Sequence, residues 1–321
     1  MDCFLFCCYA VKTLPGIECN SSKNAFSSCD DLMKNKALQV CIWILGSLAL
    51  LGNLCVVVWR IIVTERNKAH SFLLTNLAVA DWLMGCYLII IAIKDLEWRG
   101  EYFKHDVAWR SSRLCQFAGA LSMISSEVSV LILTTITADR FACIVFAFKF
   151  RRLKFNTAVY IAVSIWLFGI IVSVLPILGG IEYFYDHSWQ AGFYGRSAVC
   201  LPLQLSQERY PGWEYSVTLF IGLNAVAFSF ILIAYIAMFW KVRTVSRGVR
   251  STQIRTESSV AKRMVFIILT DFCCWMPVIV IGVLSLLGKF PDPEKQVYVW
   301  TAVFVLPVNS SINPVLYTFS T

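Results

Sequence analysis

The length and purity of the apolar blocks constrain this chain most. The run from Tyr160 to Leu178 is apolar on every side, and several such blocks approach or exceed the roughly 20 residues a helix needs to cross bilayer hydrocarbon. A surface helix of a soluble domain would keep a polar face, and a barrel strand would alternate over segments of about ten residues. Composition agrees: the 321 residues are 58% hydrophobic and 15% charged, well below the charge of about 25% usual in soluble domains. A soluble enzyme and a disordered chain are excluded. The expected fold is an all-α integral membrane protein.

Seven candidate spans follow, near 37–62, 71–93, 112–145, 156–179, 213–241, 258–287 and 296–319. The third carries Glu127 and reads least apolar. The organisation expected is a short outer segment, 1–36, and a seven-transmembrane helix bundle over 37–321. An odd number of spans puts the termini on opposite sides. Lys and Arg crowd into 60–70, 149–155 and 241–263, which assigns those loops to the cytoplasm. The N-terminus is then extracellular and the C-terminus cytoplasmic, in the plasma membrane. Asn20 in Asn20-Ser21-Ser22 becomes a candidate glycosylation site on the outer segment. The net charge of +8 is topological first, so a nucleic-acid partner is not needed to explain it. Thr321 falls at the end of the seventh span, and both ends of the chain read as abrupt. The expectation is a piece of a longer protein.

Polar residues inside spans each require an explanation. Asp81 lies in Asn76-Leu-Ala-Val-Ala-Asp81, Asn53 follows Gly52, and Asn313 opens Asn313-Pro314-Val-Leu-Tyr317. With Ser129 and Asn309 these groups can share one hydrated interior site. One reading is a water and cation pocket, with sodium as an allosteric ion at Asp81 and Ser129. The other is a structural network that specifies packing. Asp139-Arg140 ends the third span and Glu257 begins the sixth. An Arg140–Glu257 bridge, with Asp139 pairing Arg140 locally, would be either a clamp or an ordinary interfacial charge cluster. Asp271, in Asp271-Phe-Cys-Cys274-Trp275-Met-Pro277, is expected to hydrogen-bond towards Asn309 or Asn313, as a lock or as a moving switch. Pro277 kinks its helix. A Cys115–Cys200 disulfide would pin the 180–212 loop over the bundle, but 13 cysteines do not by themselves select that pair. The histidines, His70, His105 and His187, are expected in loops. No Walker A, Rossmann or HExxH pattern is present, so no enzyme is expected.

Gly52-Asn53, Leu77-Ala-Val-Ala-Asp81, Cys115, Asp139-Arg140-Phe141, Trp166, Cys200, Cys274-Trp275-Met-Pro277 and Asn313-Pro314-Val-Leu-Tyr317 occur in order, one set per span. The ordered set resembles the rhodopsin-like G-protein-coupled receptors. Within them, Cys29-Asp-Asp-Leu-Met-Lys-Asn, the 95–105 loop, Ser126-Glu127-Val-Ser129-Val, Thr270-Asp271 and Leu306-Pro-Val-Asn309-Ser310 are similar to the relaxin receptors. Those belong to the leucine-rich-repeat subfamily, and the glycoprotein-hormone receptors are the second match. Three departures stand out. Asp139-Arg140 replaces the Glu-Lys of relaxin receptors. Ala227 stands where a proline is usual, and Ala147 likewise.

The resemblance implies a signalling receptor whose outside event shifts an inactive–active equilibrium. Asp139, Arg140, Glu257, Tyr235, Asp271, Trp275, Pro277, Asn313, Pro314 and Tyr317 would form the activation switch. Arg140 and Phe148 would contact a heterotrimeric G protein, expected to be stimulatory with cyclic AMP output. Further expected partners are a peptide or glycoprotein hormone, captured mainly by an ectodomain outside this sequence, arrestin, and a receptor dimer. A transporter and a truncated, non-signalling partner are the alternatives.

Overall fold

The computed structural model describes residues 27–63, 67–146, 152–178, 181–185, 192–202, 211–245, 252–289 and 299–320. They form a helical bundle: α1 (Lys36–Ile62), α2 (Lys68–Glu97), α3 (Arg113–Val145), α4 (Phe155–Val174), α5 (Trp213–Arg243), α6 (Thr252–Leu286) and α7 (Leu306–Ser320). Six contain stretches long and apolar enough to cross a membrane, and Val303–Leu316 supplies a shorter apolar stretch. The outward faces carry Tyr160, Ile61, Val226 and Trp240. Large side chains like these, exposed in number, would drive aggregation in water but suit hydrocarbon.

Several ends differ from the sequence expectation, because hydropathy locates the apolar middle of a helix and not its caps. α2 begins at Lys68, where the Asn67 side chain accepts from the His70 N–H, and it runs on to Glu97. His70 therefore lies in a helix, not a loop. α4 stops at Val174 and gives way to a tight 3-10 turn, Leu175–Ile177, that contains Pro176. α6 starts earlier than expected, at Thr252. Asn35 and Ser112 cap α1 and α3 by accepting from Ala37 N–H and Cys115 N–H, each replacing a partner that the first helical turn lacks.

α1, α5 and the approach to α7 each contain a π turn: Leu48–Gly52, Thr218–Leu223 and Thr301–Val305. α4 is the most peripheral helix and buries only Ala158, Ala162, Gly169 and Ser173. It is tied inward by Trp166 Nε1, which donates to Asn76 Oδ1 of α2 at 2.9 Å.

One end of the bundle is closed by the chain itself. Cys115 and Cys200 form a disulfide, with Cα atoms 5.4 Å apart. It holds the loop segment Phe193–Leu201 inside the helix mouth, where Phe193, Tyr194, Val199 and Leu201 are buried. Tyr87 Oη donates to Val199 O at 2.8 Å and Trp109 Nε1 to Ala198 O at 2.7 Å. Tyr194 Oη donates to Ser173 O at 2.8 Å. Burial holds the Tyr194 phenol well above its ordinary range, so it remains a donor at physiological pH.

Gly119 of α3 admits this loop. A Cβ there would lie 2.4 Å from the Tyr194 ring and 2.5 Å from Cys200 O. Gly119→Ala should therefore lower the thermal unfolding midpoint by the equivalent of about 1–3 kcal/mol. Gly222→Ala is the comparison, since its nearest contact would be Val217 O at 3.9 Å. Equal midpoints for the two variants would show that the loop does not depend on this close approach.

Candidate functional site

The centre of the bundle is organised around Asp81 of α2, which is 0% exposed. Its Oδ1 accepts from Ser129 Oγ of α3 at 3.0 Å and from Ser310 Oγ of α7 at 2.9 Å. Its Oδ2 accepts from Asn313 Nδ2 at 2.8 Å. Asn53 of α1 joins through the backbone: Nδ2 donates to Ser310 O and to Ala49 O, both at 2.9 Å. The three amide oxygens of Asn53, Asn309 and Asn313 are buried without a hydrogen-bond partner. Carbonyl oxygens beside a carboxylate are the donor set that waters or a hard cation require.

The sequence expectation offered Asn309 both to the Asp81 group and to Asp271. In the structure Asn309 Nδ2 donates to Asp271 Oδ1 of α6, and Ser310 occupies the place beside Asp81. Successive helical residues point about 100° apart, so Asn309 and Ser310 serve two different acids. Asp271 and Asp81 nevertheless lie within electrostatic reach of each other, which makes the two hydrogen-bonded groups one polar core. Near them on α6, Trp275 is buried with its ring 6.0 Å from Phe228 of α5, and Pro277 lies inside the helix. Pro314 interrupts α7, packed so that a Cβ on Gly52 would meet its Cγ at 2.9 Å.

At the opposite end from the disulfide, Arg140 is 1% exposed and ion-paired with Asp139. Asp139 also accepts the Leu153 N–H at 2.9 Å, so one carboxylate restrains both the arginine and the entry to α4. Tyr235 of α5 lies within electrostatic reach of Arg140, and its buried hydroxyl has no hydrogen-bond partner. The expectations at Asn20 and Phe148, and at the side chains of Glu257 and Tyr317, fall outside the described residues.

Two features had not been singled out as sites. Ser310 was visible only as part of a longer motif. Residues 28–34 form a strap before α1. In it Leu32 and Met33 are buried, Met33 N–H donates to Asp95 Oδ1 at 2.9 Å, and Gly100 N–H to Asp31 Oδ1 at 3.3 Å. Phe103 N–H donates to the carbonyl of Cys29 at 3.0 Å. Cys29 is itself disulfide-bonded. The strap contains most of the Cys29-Asp-Asp-Leu-Met-Lys-Asn run that resembles the relaxin receptors, but that run does not announce its anchoring to the bundle.

If Asp271 and Asn309 form a single latch between α6 and α7, Asp271→Ala and Asn309→Ala should each lower the unfolding midpoint. The double variant should fall short of their summed effect by about 0.5–3 kcal/mol. Strict additivity in a double-mutant cycle would show that the contact carries no energy.

Residues 52–317 match the family model described as 7 transmembrane receptor (rhodopsin family). The chain is 48% identical to G-protein coupled receptor GRL101 of Lymnaea stagnalis over 100% of its own length and 28% of that protein's. It is 36% identical to Relaxin receptor 1 of Rattus norvegicus over 99% of this chain and 41% of that receptor. It is 32% identical to the lutropin-choriogonadotropic hormone receptor of Mus musculus over 95% of this chain and 41% of that receptor. The chain thus spans well under half the length of these curated relatives. The motif order, the helical bundle and these matches agree: the chain belongs to the rhodopsin family of seven-transmembrane receptors.

Proposed function

We propose that this chain is the membrane-spanning signalling unit of a hormone receptor and switches a heterotrimeric G protein. The observation that carries the reading is the closed Arg140 end. A buried arginine is paired with Asp139, and a linked polar core lies between that end and the loop-sealed end.

The Lys and Arg bias of 60–70, 149–155 and 241–263 assigns the Arg140 end to the cytoplasm and the disulfide end to the outside. The strap at 28–34 then lies where an outer event would enter. It is anchored to Asp95 at the end of α2 and to the 100–103 turn, so displacement of the strap displaces α2. Asp81 lies on that helix, and through Ser129, Ser310 and Asn313 the displacement bears on α3 and α7. Asn309 and Asp271 carry it to α6, where Pro277 permits bending. Opening of the inner end frees Arg140 from Asp139 for a G protein, with Tyr235 beside it. Glu257, Phe148 and Tyr317 complete the inner surface in this reading.

A sodium ion would be held by Asp81 and Ser129 with the amide oxygens of Asn53, Asn309 and Asn313, and would supply positive charge opposite the buried acids. Its effect would be to favour whichever conformation brings these oxygens together. The names of the relatives point to relaxin or a gonadotropic hormone, hence a peptide hormone as the outer signal. A stimulatory G protein and cyclic AMP are the corresponding output.

Arg140→Ala should reduce G-protein activation by about tenfold or more, equivalent to at least about 1.4 kcal/mol, with surface expression largely kept. Unchanged nucleotide exchange at matched expression would refute the coupling role. Asp81→Asn should separately flatten the dependence of basal activity on sodium, measured against potassium at constant ionic strength. Identical sodium titrations in both proteins would remove the ion from the mechanism.

A further inference from the structure

Asp81 and Asp271 each receive hydrogen bonds from side chains; Glu127 does not. Glu127 lies on α3, is 0% exposed, and neither carboxyl oxygen accepts a hydrogen bond. The side chain facing it is Asn224 of α5, also 0% exposed.

Asn224 directly follows the π turn Thr218–Leu223. A π turn winds wider than an α-helix and leaves carbonyls without their regular partners. The Asn224 amide nitrogen returns to two of them, Leu219 O at 3.3 Å and Phe220 O at 3.1 Å. An asparagine amide has two protons, and both are spent on the backbone. What remains is Oδ1, a buried acceptor with no donor, on the side chain that lies against Glu127.

Were Glu127 ionised, an unpaired charge would lie inside the membrane beside an amide whose protons are already bonded to the backbone. Rotating the amide does not help: Oδ1 would then face two carbonyls, and the carboxylate would gain one neutral donor at the loss of both backbone bonds. Among the described residues no charged side chain acts on Glu127. The titratable groups near it are Tyr194 of the outer loop and Tyr215 of α5. Their hydroxyls already donate to the α4 carbonyls of Ser173 at 2.8 Å and Val172 at 2.6 Å. One arrangement removes the buried charge and gives Asn224 Oδ1 a donor: a neutral carboxylic acid whose O–H donates to it.

We propose that Glu127 is an acid protonated at neutral pH whose O–H···Oδ1 bond to Asn224 locks α3 to the π turn of α5. The proton acts as a structural part, holding the turn wound and fixing α5, which carries Tyr235 further along, against α3. This lock is separate from the polar core at Asp81 and does not depend on G-protein coupling.

The test is infrared spectroscopy on the purified receptor in lipid nanodiscs. The difference spectrum between parent and Glu127→Gln should show loss of a protonated-carboxyl C=O band, unchanged from about pH 5 to about pH 7, a range in which an ordinary Glu is ionised. Loss of a carboxylate band, or titration of the band within that range, would overturn the proposal. Asn224→Leu should move the band to higher frequency, as expected of an acid whose O–H has lost its acceptor; an unmoved band would overturn the pairing. Glu127→Gln keeps a donor for Oδ1 and should unfold near the parent temperature, whereas Glu127→Ala should unfold clearly lower. Equal losses for the two would assign Glu127 a packing role alone. Should Glu127→Ala fail to fold, the spectra of Glu127→Gln and Asn224→Leu still decide the matter.

Discussion

A carboxylate at hydrocarbon depth persists only where neighbouring side chains supply the donors that water would have given. Placing an aspartate at the middle of a membrane helix costs about 2.5–3.5 kcal/mol on insertion scales. Each hydrogen bond to a charged group returns about 1.5–3 kcal/mol. Asp81 collects three, from Ser129, Ser310 and Asn313, so the balance favours burial only when α3 and α7 stand at the right depth and rotation beside α2. The rest of the bundle is indexed to that condition. Asn53 brings in α1 by reading the Ser310 carbonyl, and Asn309 brings in α6 through Asp271. Five helices thus share one connected polar core, and a displacement of any of them is felt as a change in the donors around Asp81 or Asp271.

The helices of the bundle are not all regular, and two irregularities follow one rule. The π turn Leu48–Gly52 is followed at once by Asn53, and the π turn Thr218–Leu223 by Asn224. In both cases the asparagine amide returns to carbonyls of the distorted stretch: Ala49 O for Asn53, Leu219 O and Phe220 O for Asn224. The side chain repairs the winding defect and, in doing so, turns its Oδ1 into the bundle interior. Neither oxygen has a hydrogen-bond partner. A local backbone repair therefore leaves a buried acceptor at a fixed place, one on the asparagine bonded to the Ser310 carbonyl and one on the asparagine beside Glu127.

This also explains what the sequence could and could not announce. Seven apolar blocks, the burial of Asp81 and the interior position of Asn313 follow from hydropathy and the cost of charge, and the motif order adds the receptor family. Hydropathy places the ends of α2 and α6 short because caps such as Asn67 lie in polar sequence that it ignores. The choice between Asn309 and Ser310 as partner of Asp81 was not legible, since one residue is a turn of about 100° and the absolute rotation of α7 is set by packing. The strap at 28–34 was equally hidden: its anchoring consists of backbone N–H groups bonding to Asp95 and Asp31, and any sequence has those. The facing of Glu127 and Asn224 joins helices distant in the chain with no shared period to reveal it.

The contrast between the buried acids shows why such a bundle can be both stable and switchable. Asp81 has donors, so its energy depends on groups that move with α3 and α7. Glu127 faces an acceptor whose protons are already spent, so its bond is neutral, short-ranged and indifferent to the field of the core. Asp139 stands at the inner end with a still different pairing, an arginine on one side and the Leu153 N–H on the other. Breaking a buried ion pair outright costs about 3–5 kcal/mol when one charge is left unpaired. The cost falls if a partner's surface or water takes up the released arginine. A conformational gap of a few kcal/mol is what a ligand can shift. The neutral contact between α3 and α5 therefore suits the fixed frame, and the charged contacts at Asp81, Asp271 and Arg140 suit the moving parts, since only their energies change steeply when donors are exchanged.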